Sequence, residues 1–351
     1  MYRIPMVAGA LCLALGAAQF LTADDAAQNP VARRYAGNLD NPSGIAIQPG
    51  TGHVFVAEHR GVVRFFDKEP DAEGKKARGR AMEIGQYPSD IYGKGPMYDI
   101  GPLGLAFQSA TQIVVGDGSR IDGEELVRLY TLASTPAEKP AREDSASATL
   151  GPIKAGDLSA KGEGNFYGIA VTADAIYVTC NGDDTKGWIS RAEIKDGEPG
   201  ELKPFIATKE KLGVDAPVGI TIGKNGELVV SQMGEMNVPG DSLLTIYDAK
   251  TGELKAKYET GLHDIAGLAY SPITGKLYAV DFAWSDTKQG GLFELVIEGE
   301  KCKPRKVCEL DKPTAIAFDA QGNAYITAFG TAAEGDKTKP GQVLRVNKNR
   351  L

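Results

Sequence analysis

The side chains with most chemistry to offer are oxygen-bearing and recur at two fixed places. Asn41, Asn165 and Asp264 each stand three residues ahead of a repeated glycine, and Glu58, Asp117 and Asp281 each follow a short apolar run. Carboxylates and amides converging on one point suit a calcium-like cation or a hydroxyl-rich, sugar-like ligand. The same residue types also cap turns by accepting backbone N–H groups, which competes with the ligand-site reading. Aromatic side chains form a second set. Tyr87, Tyr92 and Tyr98 fall in a Gly- and Pro-rich stretch from Gly85 to Gly101, with Tyr167 and Trp284 elsewhere. Exposed rings of this kind stack on sugars or peptides, and buried ones pack long loops. The only histidines are His53, His59 and His263, two of them beside acids (Glu58 and Asp264). Such a pair suits general-base work on water. No nucleophile is marked by a motif, since there is no Gly-x-Ser-x-Gly elbow, phosphate loop or helical metal motif. Asn181-Gly182-Asp183-Asp184 lacks the spacing of a calcium-binding loop and reads as a tight turn.

These residues hang on a repeated unit. Gly44-Ile45-Ala46-Ile47, a Gly-containing turn, and Val54-Phe55-Val56 form a cassette. It returns around Gly104, Gly168, Gly219, Gly267 and, with alanine for glycine, Ala315, at steps of 60, 64, 51, 48 and 48 residues. Each cassette predicts two strands. An alternating third follows, and a fourth follows in five units. Small residues suit the crowded strand nearest an axis. The last unit lacks a fourth strand, whereas Val31 to Ala36 precedes the first cassette with no unit of its own. The spacing predicts an all-β, six-bladed β-propeller of four-stranded blades, its ring closed by the N-terminal strand completing the last blade. Ala133 to Ala148 reads as a flexible excursion in the second blade, and Gly330 to Gly341 as a mobile loop.

Residues 1–23 read as a secretory signal: a charged start at Arg3, an apolar run from Val7 to Ala18, then small residues to Ala23. That run is short for a membrane span. Residues 24–351 are expected to form one propeller domain, secreted or periplasmic, with no stable membrane insertion after cleavage. The net charge of −7 and the absence of a long basic run argue against nucleic acid as a partner. Cys180, Cys302 and Cys308 lie beyond the signal. A Cys302–Cys308 disulfide is open, but it would need the chain to loop at Pro304, because six extended residues span about 20 Å.

The repeated Gly-Ile-Ala unit, its turn and the following Leu-Tyr-Val-type strand resemble NHL-repeat propellers and the gluconolactonase (senescence-marker-protein-like) family. The resemblance covers about Val31 to Leu351. It implies that the loops before the inner strands and after the second strands share one face, which holds the central site. It also implies a divalent cation at the axis, held by Glu, Asn and Asp, with Asn or Asp immediately before the cassette glycine. Here those positions are Ser43, Leu103, Tyr167, Val218, Ala266 and Thr314, so that set is absent. The leading expectation is an NHL-like binding or interaction module. Its loop-rich face would carry Asn41, Glu58, Asp117, Asn165, Asp264, Asp281, Tyr98 and Trp284, and would take an unknown protein or a small carbohydrate-like ligand. The alternatives are a cation-dependent lactone hydrolase with a relocated site (Glu58, Asp117, Asn165 and Asp264, a calcium-like ion as cofactor) and a quinone-dependent sugar dehydrogenase. The latter needs basic groups and a histidine, for which Lys312, Arg60, Arg120 and His59 are available.

Overall fold

A computed structural model describes residues 30–70, 73–74, 77–93, 95–182, 185–334 and 338–351. The expected signal at 1–23 lies outside the described residues, as do Asp183 and Asp184. Six antiparallel sheets form a ring. Blade 1 runs Gly44–Ile47, Val54–Glu58, Gly61–Asp67 and Arg78–Gly85 from inner to outer strand. Blades 2 to 5 repeat the order, with inner strands at Pro102–Phe107, Ile169–Val171, Pro217–Ile222 and Ile265–Tyr270. Blade 6 takes Pro313–Phe318, Ala324–Ala328 and Gly341–Val346 from the end of the chain and Ala32–Leu39 from its start. Ala32 pairs with Val346 and Leu39 with Gly341, antiparallel. The ring is therefore closed as its sequence predicts.

The cassette glycine is there because the inner strands nearly touch. A Cβ on Gly44 would sit 2.0 Å from the Leu103 carbonyl oxygen, one on Gly104 2.3 Å from that of Tyr167, and one on Gly168 2.1 Å from that of Val218. Hydroxyls lace the same seams. Ser43 Oγ donates to the Pro102 carbonyl at 3.0 Å, Thr179 Oγ1 to Val218 at 2.9 Å, Ser231 Oγ to Ile265 at 3.0 Å, and Thr314 Oγ1 to Pro42 at 2.6 Å. Outside this collar, apolar clusters fill the wedges between neighbouring blades, such as Phe55, Leu105 and Tyr130 between blades 1 and 2. Burying such side chains stabilises by about 1.5–3 kcal/mol each.

One expectation is corrected, and the open question of the Cys302–Cys308 disulfide is answered. The stretch from Ala133 to Ala148 is tied down rather than free. Fully buried Arg64 donates to the carbonyls of Ala133 and Ser134, and its partner Glu83 accepts from Ala137 N–H. Ala141–Arg142 then adds a parallel fifth strand to blade 1. Cys302 and Cys308 are both free and share the continuous strand Lys301–Glu309. A register shift opposite Leu292 and Phe293 turns the strand between them. Cys302 consequently joins the cluster shared with blade 4, and Cys308 the one shared with blade 6.

Candidate functional site

The six residues immediately before the cassette glycines converge on the axis. Ser43, Leu103, Tyr167, Val218, Ala266 and Thr314 line an axial cavity of about 50 Å³. Tyr167 dominates it. From blade 3 its hydroxyl reaches the opposite side of the ring, donating to the Thr314 carbonyl at 2.8 Å and lying 3.3 Å from that of Ser43. Burial raises its phenol far above the ordinary value. A second cavity, about 80 Å³, lies along the inner strands and also touches Tyr167. The ring divides the channel into two chambers.

A two-stranded hairpin, Asp90–Tyr92 with Tyr98–Ile100, roofs the upper chamber. Its register puts Tyr92 opposite Tyr98. Tyr98 packs edge-on to Phe282 and Trp284 and lies 4.7 Å from the Phe329 ring, while Phe282 and Trp284 stack at 4.3 Å. These rings belong to loops that follow the second strands of blades 5 and 6, which is why Phe282 and Phe329 meet. Asn41 pins the roof by donating to the Asp99 carbonyl at 2.9 Å. Beside the chamber a groove of about 480 Å³ shares Tyr92, Asn181 and Met233 with it.

The acids at strand ends do other work. Glu58 accepts from Asp40 N–H at 3.1 Å and from Arg80 at 2.8 Å. Asp117 accepts from Ser119, Arg120 and Arg128. Asp281 accepts from the N–H groups of His263, Asp264 and Ala283. Each carboxylate thus holds loop backbone or a neighbouring guanidinium. Among the described residues no group of three His, Cys, Asp or Glu side chains is placed to hold a metal ion. Glu58, Asp117, Asn165 and Asp264 therefore do not fit the cation that the lactone-hydrolase reading needs. The polar residues ahead of the glycines have a backbone reason. Asn41, Asn165, Ala216 and Lys312, at equivalent positions, all have φ between 44° and 56°. Asparagine tolerates that left-handed turn better than most residues. Of the candidates, Asn165 and Trp284 line the upper chamber, with Tyr98 packed beside it.

Asp264 differs from the other acids. It is buried, Oδ2 accepts from Trp284 N–H at 2.7 Å, and Oδ1 has no hydrogen-bond partner. Burial, reinforced by Asp281 and Asp241 against the Trp284 bond, pushes its carboxyl up to about 7. Glu125, to which no sequence pattern points, is fully buried beneath Asn165, whose N–H it accepts at 2.6 Å. Burial, with Asp117, Asp122 and Asp90 nearby, pushes it up to about 9. His59 bridges Asp40 and Ser89. Only the position of His59 beside an acid hinted at this, because Ser89 lies in an unpatterned loop.

No protein-family model and no curated protein sequence matches the chain, so the NHL and gluconolactonase resemblance has no such support. Solved structures match in fold. A glucose dehydrogenase-type oxidoreductase from Thermus thermophilus aligns at TM-score 0.55 and 20% identity over 90% of this chain and 98% of its own. The soluble aldose sugar dehydrogenase of Escherichia coli aligns at TM-score 0.56 and 12% identity over 90% and 99%. A luciferin-regenerating enzyme aligns at 0.51 and 10% over 90% and 94%. At these identities the likeness is one of fold.

Proposed function

We propose that the chain is a secreted or periplasmic binding propeller that takes a small carbohydrate-like ligand at the roofed end of its axis. The observation that carries this reading is the shared wall. The groove and the aromatic upper chamber meet at Tyr92, Asn181 and Met233, so a ligand entering the groove would find ring faces beside amide groups. Sugars use both, stacking their C–H faces on aromatics while amides bond their hydroxyls. Large apolar side chains exposed on this face (Ile91, Met97, Ile121, Leu158 and Val238) also favour a binding role. The test is calorimetric titration with a panel of mono- and disaccharides, paired with Trp284 emission in a Trp188→Phe background. A saturable heat with matching emission change, both weakened roughly tenfold or more by Tyr92→Ala, supports the reading. Absence of both across the panel removes it.

A second reading, a quinone-dependent sugar dehydrogenase, draws on the sugar dehydrogenases with the same fold. Three of the four candidate groups are already engaged within the protein, and Arg60 lies exposed in the turn after Val54–Glu58. Arg120 is held by Asp117 and Glu143, Lys312 by the Gly330 carbonyl and Thr331, and His59 by Asp40 and Ser89. No step is derived through a quinone. Dye-linked oxidation of glucose after quinone addition, with a matching absorbance band, would put this reading first.

A further inference from the structure

The geometry points to a second, separate activity: we propose that Ser89, His59 and Asp40 form a catalytic array that hydrolyses small carboxylic esters through an acyl-enzyme. His59 Nε2 lies 2.6 Å from Ser89 Oγ, and Nδ1 lies 3.1 Å from Asp40 Oδ2. With Nδ1–H donating to the carboxylate, Nε2 is the acceptor for the serine hydroxyl, the arrangement that lets an imidazole act as base. The exposures match the roles. The Asp40 side chain is 22% exposed, that of His59 8%, and Ser89 is an exposed residue.

Three unrelated segments bring the array together, and each is fixed. Asp40 follows the ring-closing strand, His59 follows the second strand of blade 1, and Ser89 sits between that blade's outer strand and the roof hairpin. Asp40 is held on both sides of its own backbone. Its N–H donates to Glu58 Oε2 at 3.1 Å, and its carbonyl accepts from His59 N–H at 2.9 Å. Glu58 is thereby a positioning residue for the array. Lys339 Nζ also pairs with Asp40 Oδ2. Burial alone would raise the Asp40 carboxyl, but Lys339 and His59 together lower it below the ordinary range. Asp40 therefore stays ionised across neutral pH, as a residue holding the imidazole tautomer must. The Ser89 N–H makes no hydrogen bond to another described residue. In serine proteases the nucleophile's own amide helps to bind the developing oxyanion, and the Ser89 N–H is the group that would serve in this array.

The chemistry balances without an outside reagent. Ser89 Oγ forms a bond to the ester carbon as its proton passes to Nε2. The ester C–O bond then breaks, and the leaving alcohol takes that proton. Water repeats the sequence through Nε2, releases the carboxylic acid and restores the serine hydroxyl.

The experiment uses the whole chain, with p-nitrophenyl acetate as substrate and a fluorophosphonate as covalent probe. One adduct should map to Ser89, and Ser89→Ala should abolish both adduct and turnover while melting as the parent does. His59→Gln and Asp40→Asn should each lower kcat roughly a hundredfold or more. An adduct elsewhere, turnover that survives in Ser89→Ala, or a parent chain inert to both reagents would overturn the proposal. None of these outcomes bears on the axial ligand site, which shares no residue with the array.

Discussion

The Tyr167 hydroxyl, carried by blade 3, donates to the main-chain carbonyl of Thr314 in blade 6, 2.8 Å away across the axis. Removing that hydroxyl takes the cross-ring donor from the Thr314 carbonyl while the ring still fills the channel. Tyr167→Phe is expected to cost about 1–3 kcal/mol. Tyr167→Ala, which also merges the two chambers, is expected to cost about 3–5 kcal/mol. Chemical denaturation of both variants checks this. Equal stability of Tyr167→Phe and the parent would show that the cross-ring bond contributes nothing.

Stability should fall as pH rises, in two overlapping steps. Asp264 and Glu125 hold their protons more tightly in the folded chain, with carboxyls pushed up to about 7 and about 9. Each adds stability in full below the ordinary carboxyl pKa of about 4. The contribution is lost as pH climbs through the folded value. Between pH 7 and 9 the difference between parent and Glu125→Gln isolates Glu125. Between pH 5 and 7, Asp264→Asn should flatten part of the remaining slope. Parallel curves for parent and variants would refute the assignment. Trp284 emission should titrate near pH 7 in the parent only, because its N–H rests on Asp264.

The collar of inner strands makes an asymmetric prediction about its small residues. Gly168→Ala would press a methyl onto the Val218 carbonyl and should cost about 1–3 kcal/mol or more. Ala315→Gly, at the equivalent place in blade 6, should cost no more than about 1 kcal/mol. Thermal melts of the pair settle the comparison, and equal losses would contradict the close approach.

The ring could be read from the sequence because its signals are local and repeated. Gly44, Gly104 and Gly168 stand at the same place in each cassette, and Val31 to Ala36 is a strand without neighbours in sequence. The site was harder. Asn41 and Asn165 looked like oxygen ligands because the sequence does not reveal a left-handed φ. Asp281 looked like one because three backbone N–H groups can be assigned to it only once the loops are placed. Tyr98 and Trp284 were visible as loop aromatics, and they do meet. The partnership of His59 with Ser89, thirty residues on, and with Asp40 depends on how one blade joins the next, and no spacing rule encodes it.

The seam of blade 6 has a consequence for the order in which the molecule matures. Its outer strand is the first described element synthesised, and its partner, Gly341–Val346, is the last strand. A nascent chain must therefore keep Ala32–Leu39 unpaired until almost the whole polypeptide has emerged. Asp40 directly follows that waiting strand, and Lys339 stands just ahead of its partner. The Lys339–Asp40 ion pair, whose two members flank the closing strands, can therefore form only once that last seam is stitched.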